Sequence, residues 1–278
     1  MTITNTVALA QPQRPGQWPA FGAVLRYEFL MQIRRVAFWI IFAVGAIVPV
    51  IQFFNPQNFT HDANLAISQH SVVIIEITDI AGLVALATGV LLAGRVQRDR
   101  SLRVEEILKS ARPTPMTRLF GKYAGATLAS FIPAALLTAL GTSVLVARYQ
   151  DPNVIPLALA VAALTIIPAT LFVGSFAIAC GTFMWAPLFQ FLFLGYWLWE
   201  QLDPKGSIPT LNGTILSPSM RLVMTGIFGF TPFRTSDLSY YPAVGAVWGI
   251  ANIVALVGVG LLALVLAGLY QQSRASRD

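Results

Sequence analysis

Two carboxylates, Glu76 and Asp79, fall inside an otherwise apolar run. An acid in such a run is a candidate for a substrate path, because a charge at mid-membrane costs about 3 kcal/mol or more and persists only with a reason. From Arg95 back to Asp79 is sixteen residues, roughly 24 Å of helix. Both acids therefore sit toward one end of the run, where an interfacial acid paired with Arg221 or Arg234 competes with a path role. Glu105 and Glu106 form a second acidic pair in a basic stretch far from either histidine. His61 and His70, with Asp62, are nine apart in a connecting segment, which does not define a metal site. Ser175 follows Gly174 with no histidine in reach for nucleophilic catalysis. A phosphate-cradling loop needs Gly-x-x-x-x-Gly-Lys-Ser/Thr, so that backbone amides and the lysine converge on the phosphates. The one Gly-Lys here, Gly121-Lys122, precedes Tyr123 and has Met116 where the first glycine belongs. No catalytic residue, metal ligand or cofactor is expected in this chain, and it is not expected to be an enzyme.

The elements that hold these residues are membrane helices. Hydrophobic residues make up 56% of the 278 and charged ones 11%, and mean hydropathy is +0.68; soluble domains carry about a quarter charged residues, mixed through the chain. The composition predicts an all-α membrane protein with six transmembrane helices, at about 36–54, 71–93, 123–147, 155–179, 187–202 and 243–270, in one domain spanning 19–270. Each run is near the ~20 residues that cross hydrocarbon; the fifth is short and interrupted by Gln190. Residues 1–18 read as a flexible cytoplasmic arm and 271–278 as a cytoplasmic tail. Fourteen of the eighteen Lys and Arg flank the runs on one side, which predicts cytoplasmic termini and a multi-pass protein of the cell's inner or plasma membrane. The net charge of +6 is explained by this distribution, so nucleic acid is not expected as a partner; the lipid bilayer is.

Two further segments carry their own stripes. After Pro19, Phe21, Leu25, Phe29 and Ile33 recur every fourth residue, with Glu28, Arg34 and Arg35 off the stripe, predicting an N-terminal interfacial helix. Between spans 2 and 3, the cytoplasmic segment 94–122 places Val104, Ile107, Leu108 and Ala111 on one helical face. Asp99 with Arg103, and Glu105 with Lys109, are acid-then-base pairs four apart that support that helix. Pro113 and Pro115 end it, and Thr117 can cap the next helix. A salt-bridged helix with an apolar stripe is a docking surface for a soluble partner. The outer segment 201–242 is long for a connection, and its apolar part, Met220 to Phe230, is too short to cross and needs burial in protein at membrane depth. Gly121, Gly125 and Ala129 set small residues every fourth position, a pattern that permits close helix approach.

These features together resemble permease subunits of the type-2 ABC exporter class. There a span ends in an acidic-basic stretch, followed by a Glu-Leu pair, a proline, and a Gly-Lys opening the next span; here these are Asp99-Arg100, Glu105 with Leu108, Pro113, and Gly121-Lys122. Leu25 to Trp39, with Glu28, Arg34, Arg35 and Phe38, is similar to that class's approach to its first span. Leu102-Arg103 stands where the class often has Gly-Thr. The resemblance covers nearly the whole chain in layout and about forty residues in motif. It implies a half-transporter coupled through Asp99, Arg103, Glu105, Glu106, Leu108 and Lys109 to a separate ABC ATPase subunit that binds ATP and Mg. A second permease subunit, identical or different, would complete the path. An ion-gradient-driven secondary transporter is the alternative, with an intramembrane enzyme behind it.

Overall fold

The computed structural model describes residues 17–54, 69–95, 97, 114–202, 210–211, 214–230 and 244–275. Its elements are helices: α1 (Gln17–Ile33), α2 (Val36–Phe54), α3 (Gln69–Ala93), α4 (Pro115–Tyr149), α5 (Val154–Cys180), α6 (Ala186–Leu202), α7 (Arg221–Gly226) and α8 (Ala246–Ala275). All six apolar runs expected to be helical are helical. Four of them, within α3, α4, α5 and α8, are long and apolar enough to cross a membrane, and the count rises to five if α1 and α2, bent by 61° at Arg34–Arg35, form one span. With 17 residues, α6 reaches roughly 25 Å, short of the ~30 Å hydrocarbon core. The chain is a multi-pass helical membrane protein.

Helix starts follow local chemistry. The α4 N-cap is Thr114, in extended backbone, whose hydroxyl accepts from the Thr117 amide at 3.2 Å. Pro115 occupies the first helical position, where its fixed φ helps and its missing N–H is not needed. This corrects two expectations: Pro115 opens α4 instead of closing the helix before it, and Thr117 is the capped residue, not the cap. Replacing Thr114 with alanine is expected to remove about 1 kcal/mol from this end, seen by mass spectrometry as faster hydrogen exchange in residues 116–120 with the rest of α4 unchanged. At its far end α4 stops where Gln150 turns left-handed at φ 54 and donates its amide to Val146 O. Pro133 and Pro168 lie inside α4 and α5, which run through them without a break.

Side-chain contacts fix how the helices run. Gly45 of α2 meets Leu83 of α3, and along α6, Gln190, Phe193 and Trp197 meet Val90, Gly89 and Gly82 of α3 in turn, so α6 lies antiparallel to α3. Gly174 of α5 meets Thr88 and Leu92 of α3 and Thr127 of α4, and Gly260 of α8 meets Ser175 and Phe172. At Gly45, Gly82, Gly89 and Gly174 the missing Cβ makes room for a neighbour's side chain, and Gly260 also lies close to Phe172 Cα. One end of the bundle gathers Arg95, Gln97, Met116, Gly181 and Gly268; the other gathers Gln69, Asp151, Ser217 and Asn252. The core between is aliphatic and aromatic, with Ile74, Ile77, Ile80, Leu92, Ile178 and Leu256 almost fully buried. The outward faces are equally apolar: Val44, Leu136, Leu159, Phe191 and Leu262 are all more than 40% exposed. A surface of this kind belongs against lipid.

Candidate functional site

The basic end of the bundle holds a buried polar arrangement. Arg95, two residues past α3, donates through Nη1 to Glu28 Oε2 of α1 at 3.1 Å, and both side chains are about 95% buried. Lys122 of α4 interacts electrostatically with both. Glu28 was expected off the apolar stripe of α1; it lies on the packed face, with Gln32 one turn on and 1% exposed. The reason is a neighbour that composition does not reveal. Val24 and Leu25 pack on Gly121, while Leu25, Glu28 and Phe29 pack on Gly125. With Trp18 and Phe21 lying beside Met116, Thr117 and Phe120, α1 runs parallel to the first turns of α4.

Gln97 extends the same junction. Its amide nitrogen donates to Met184 O, and its Oε1 accepts from the Ala186 amide at 2.8 Å. One side chain thus spans the turn between α5 and α6 and satisfies a first-turn N–H that α6 cannot satisfy itself. The described residues on either side of 98–113 are therefore each tied to a helix junction. On one side stand Arg95, bonded to α1, and Gln97, bonded to the α5–α6 turn; on the other stands Thr114, capping α4. Asp99, Arg103, Glu105, Glu106, Leu108 and Lys109 lie outside the described residues.

The two acids in α3 are placed differently from each other. Glu76 is buried at 3% exposure, with Oε2 unpartnered among the described residues, while Asp79 is exposed. The cation that acts on Glu76 is Arg148, not Arg221, which instead faces Glu200; Arg234 lies outside the described residues. Near this end, Gln69 donates to Asp151 Oδ2 at 3.0 Å. The Asn153 amide, then Gln69, hold the Asp151 carboxyl below the usual carboxylate range.

A second buried polar cluster closes the same end. Glu200 accepts from Ser219, and Asn252 of α8 donates to Ile215 O at 2.6 Å and Ser217 O at 3.2 Å. Met220, left-handed at φ 58, turns the chain into the buried helix α7. The apolar stretch Met220–Phe230 is thus helical only over Arg221–Gly226 and is covered by protein, as membrane depth requires.

No metal-binding group of His, Cys, Asp and Glu occurs among the described residues. Ser175 is buried and donates to Phe172 O at 2.6 Å, a helix-internal bond. His70 is exposed and His61 lies outside the described residues. No family model and no curated protein matches the sequence. The Glu28–Arg95 pair and the Gln97 clamp were missed in the sequence. A signal for the first was present: Glu28 and Gln32, four apart, form a polar edge, and Glu28 meets Gly125.

Proposed function

We propose that this chain is the transmembrane permease subunit of an ATP-binding cassette transporter of the exporter type. It forms the substrate path with a second permease subunit and is driven by a separate cytoplasmic ATPase. In this reading the six helices α2, α3, α4, α5, α6 and α8 all cross the plasma membrane and both termini are cytoplasmic. Arg95, Arg118, Lys122 and Arg274 belong to one end, against Arg148 and Arg221 at the other, which supports that orientation. The observation that carries the reading is the anchoring of the described residues beside segment 98–113, Arg95 and Gln97 before it and Thr114 after it. A soluble partner that docks on Glu105, Glu106 and Leu108 and moves the segment pulls at once on α1, α3, α4 and the α5–α6 turn. Such a lever is what coupling between distant sites requires.

The test is co-expression with the ABC ATPase encoded nearest this chain. Glu106→Arg or Leu108→Arg is expected to abolish co-purification of that ATPase and its stimulation, while membrane insertion and a monodisperse elution profile persist. Undiminished binding and stimulation in both variants would remove the docking surface. Buried Glu76 favours a second reading, transport coupled to an ion gradient. Uptake into inverted vesicles that needs ATP and survives an ionophore supports the first reading; the reverse supports the second.

A further inference from the structure

One position along α3 is open. From Ser71 to Ala93 every residue is buried or half-buried except Asp79, which is exposed. Asp79 stands ten residues from Gln69 and fourteen from Ala93, roughly 15 and 21 Å at helical rise, so it lies inside the apolar length of the bundle. Residues three and four apart share a helix face, and Gly82 and Leu83 show what flanks this one. A Cβ on Gly82 would lie 3.7 Å from Trp197 Cζ2 of α6, while Leu83 packs on Gly45 of α2. The opening at Asp79 is therefore one turn beyond these contacts, between α2 and α6.

Charge decides what the opening takes. Among the described residues no base acts on Asp79; Arg148 acts on Glu76, and Asp79 acts on Glu76 more strongly than Arg148 does. Glu76, one turn away and 3% exposed, keeps Oε2 unpartnered among the described residues. Two carboxylates thus share one arginine at a depth where an acid persists only with a counter-charge or a role in a path. The charge that complements this pair is a cation. A hard metal ion takes about six oxygens, whereas the α3 residues around Asp79 on this face are Ile75, Gly82, Leu83 and Leu86, with the Trp197 ring against Gly82. Apolar walls, an aromatic ring and one reachable carboxylate fit a cation whose charge is wrapped in hydrocarbon. We propose that Asp79 is the binding site for a monovalent organic cation, held between α2 and α6, with Glu76 adding to the negative field behind it. This names the substrate class and rests on the transport reading, whichever the energy source.

The probe is tetraphenylphosphonium, and tetraphenylborate, of nearly the same shape and opposite charge, is titrated separately. Equilibrium dialysis of the purified full chain, with the same neutral detergent in both chambers and neither ATPase nor ATP, reads the binding. The wild type is expected to bind tetraphenylphosphonium saturably and tetraphenylborate not at all. Asp79→Asn is expected to weaken tetraphenylphosphonium binding about tenfold or more, the scale of one contact to a charged group, and Asp79→Glu to keep most of it. Asp151→Asn removes an acid already held by Gln69 and Asn153 and is expected to bind like the wild type. Undiminished binding in folded Asp79→Asn, or an equal loss in Asp151→Asn, would overturn the site. The selectivity for charge needs no variant: no saturable tetraphenylphosphonium binding by the wild type, or equal binding of the two probes, overturns it as well. With no ATPase present, such a result leaves the ATPase coupling standing, and unchanged ATPase docking in Glu106→Arg leaves the cation site standing.

Discussion

Replacing Glu28 with alanine is expected to destabilise the protein by about 3–5 kcal/mol, the cost of breaking one side of a buried ion pair. The variant leaves Arg95 buried without its 3.1 Å acceptor and facing Lys122, a second cation. Like charges in a low-dielectric site repel strongly. Arg95→Ala is expected to cost less, because Lys122 remains as a counter-ion for Glu28. This asymmetry distinguishes a three-charge site from a simple pair. The double variant Glu28→Met, Arg95→Met removes the burden of burying charge and is expected to recover most of the loss. Thermal unfolding in a fixed detergent, with all four proteins under one condition, reads the differences. Equal losses below about 1 kcal/mol for the two single variants, the range of exposed pairs, would mean that water reaches the site.

Gly125→Ala is expected to displace α1. A Cβ there would lie 2.5 Å from Leu25 O and 3.1 Å from Phe29 N. Both are backbone atoms that cannot move aside without moving the helix. Overpacking of this kind costs about 1–3 kcal/mol. Gly121→Ala is expected to be milder, because its nearest contact is Val24 Cγ1 at 2.7 Å, on a side chain that can adjust. Gly195→Ala, which meets nothing, serves as the neutral control. Because α1 carries Glu28, Gly125→Ala combined with Glu28→Ala is expected to be less than additive. Limited proteolysis near Arg34–Arg35 should rank the variants as Gly125→Ala fastest and Gly195→Ala unchanged.

What could be read from the residues, and what could not, divides along physical lines. Hydrophobic run length placed all six helices, because a backbone in lipid must satisfy its own hydrogen bonds. It did not place their ends: α4 starts at Pro115, eight residues before the span expected at 123, since capping and proline geometry extend a helix beyond its apolar part. The small-residue spacing at Gly121 and Gly125 was legible, but its partner was not. Periodicity within α1 picked the commonest apolar stripe and so placed Glu28 on the wrong side. Only the approach of a helix about a hundred residues away turns that edge inward. Glu76 reads from the sequence as an acid near one end of its run, with Arg221 or Arg234 as candidate partners, yet it is buried and the cation that acts on it, Arg148, comes from another helix end. Pairings between elements distant in sequence are what a one-dimensional pattern lacks.

The junction of α1 with α4 also has a schedule. Arg95 lies 67 residues after Glu28, and Gly125 about thirty later. At a synthesis rate of ~5–20 residues per second, α1 waits roughly 5–20 seconds on the ribosome-bound chain before its seat exists. Glu28 has no buried partner during that time, so α1 must rest where water can reach it. Its exposed Trp18 and Tyr27 suit the headgroup layer, where such rings prefer to lie. The helix is therefore a surface segment first and a bundle element second, and its docking marks the moment when the Arg95 end of the bundle is complete.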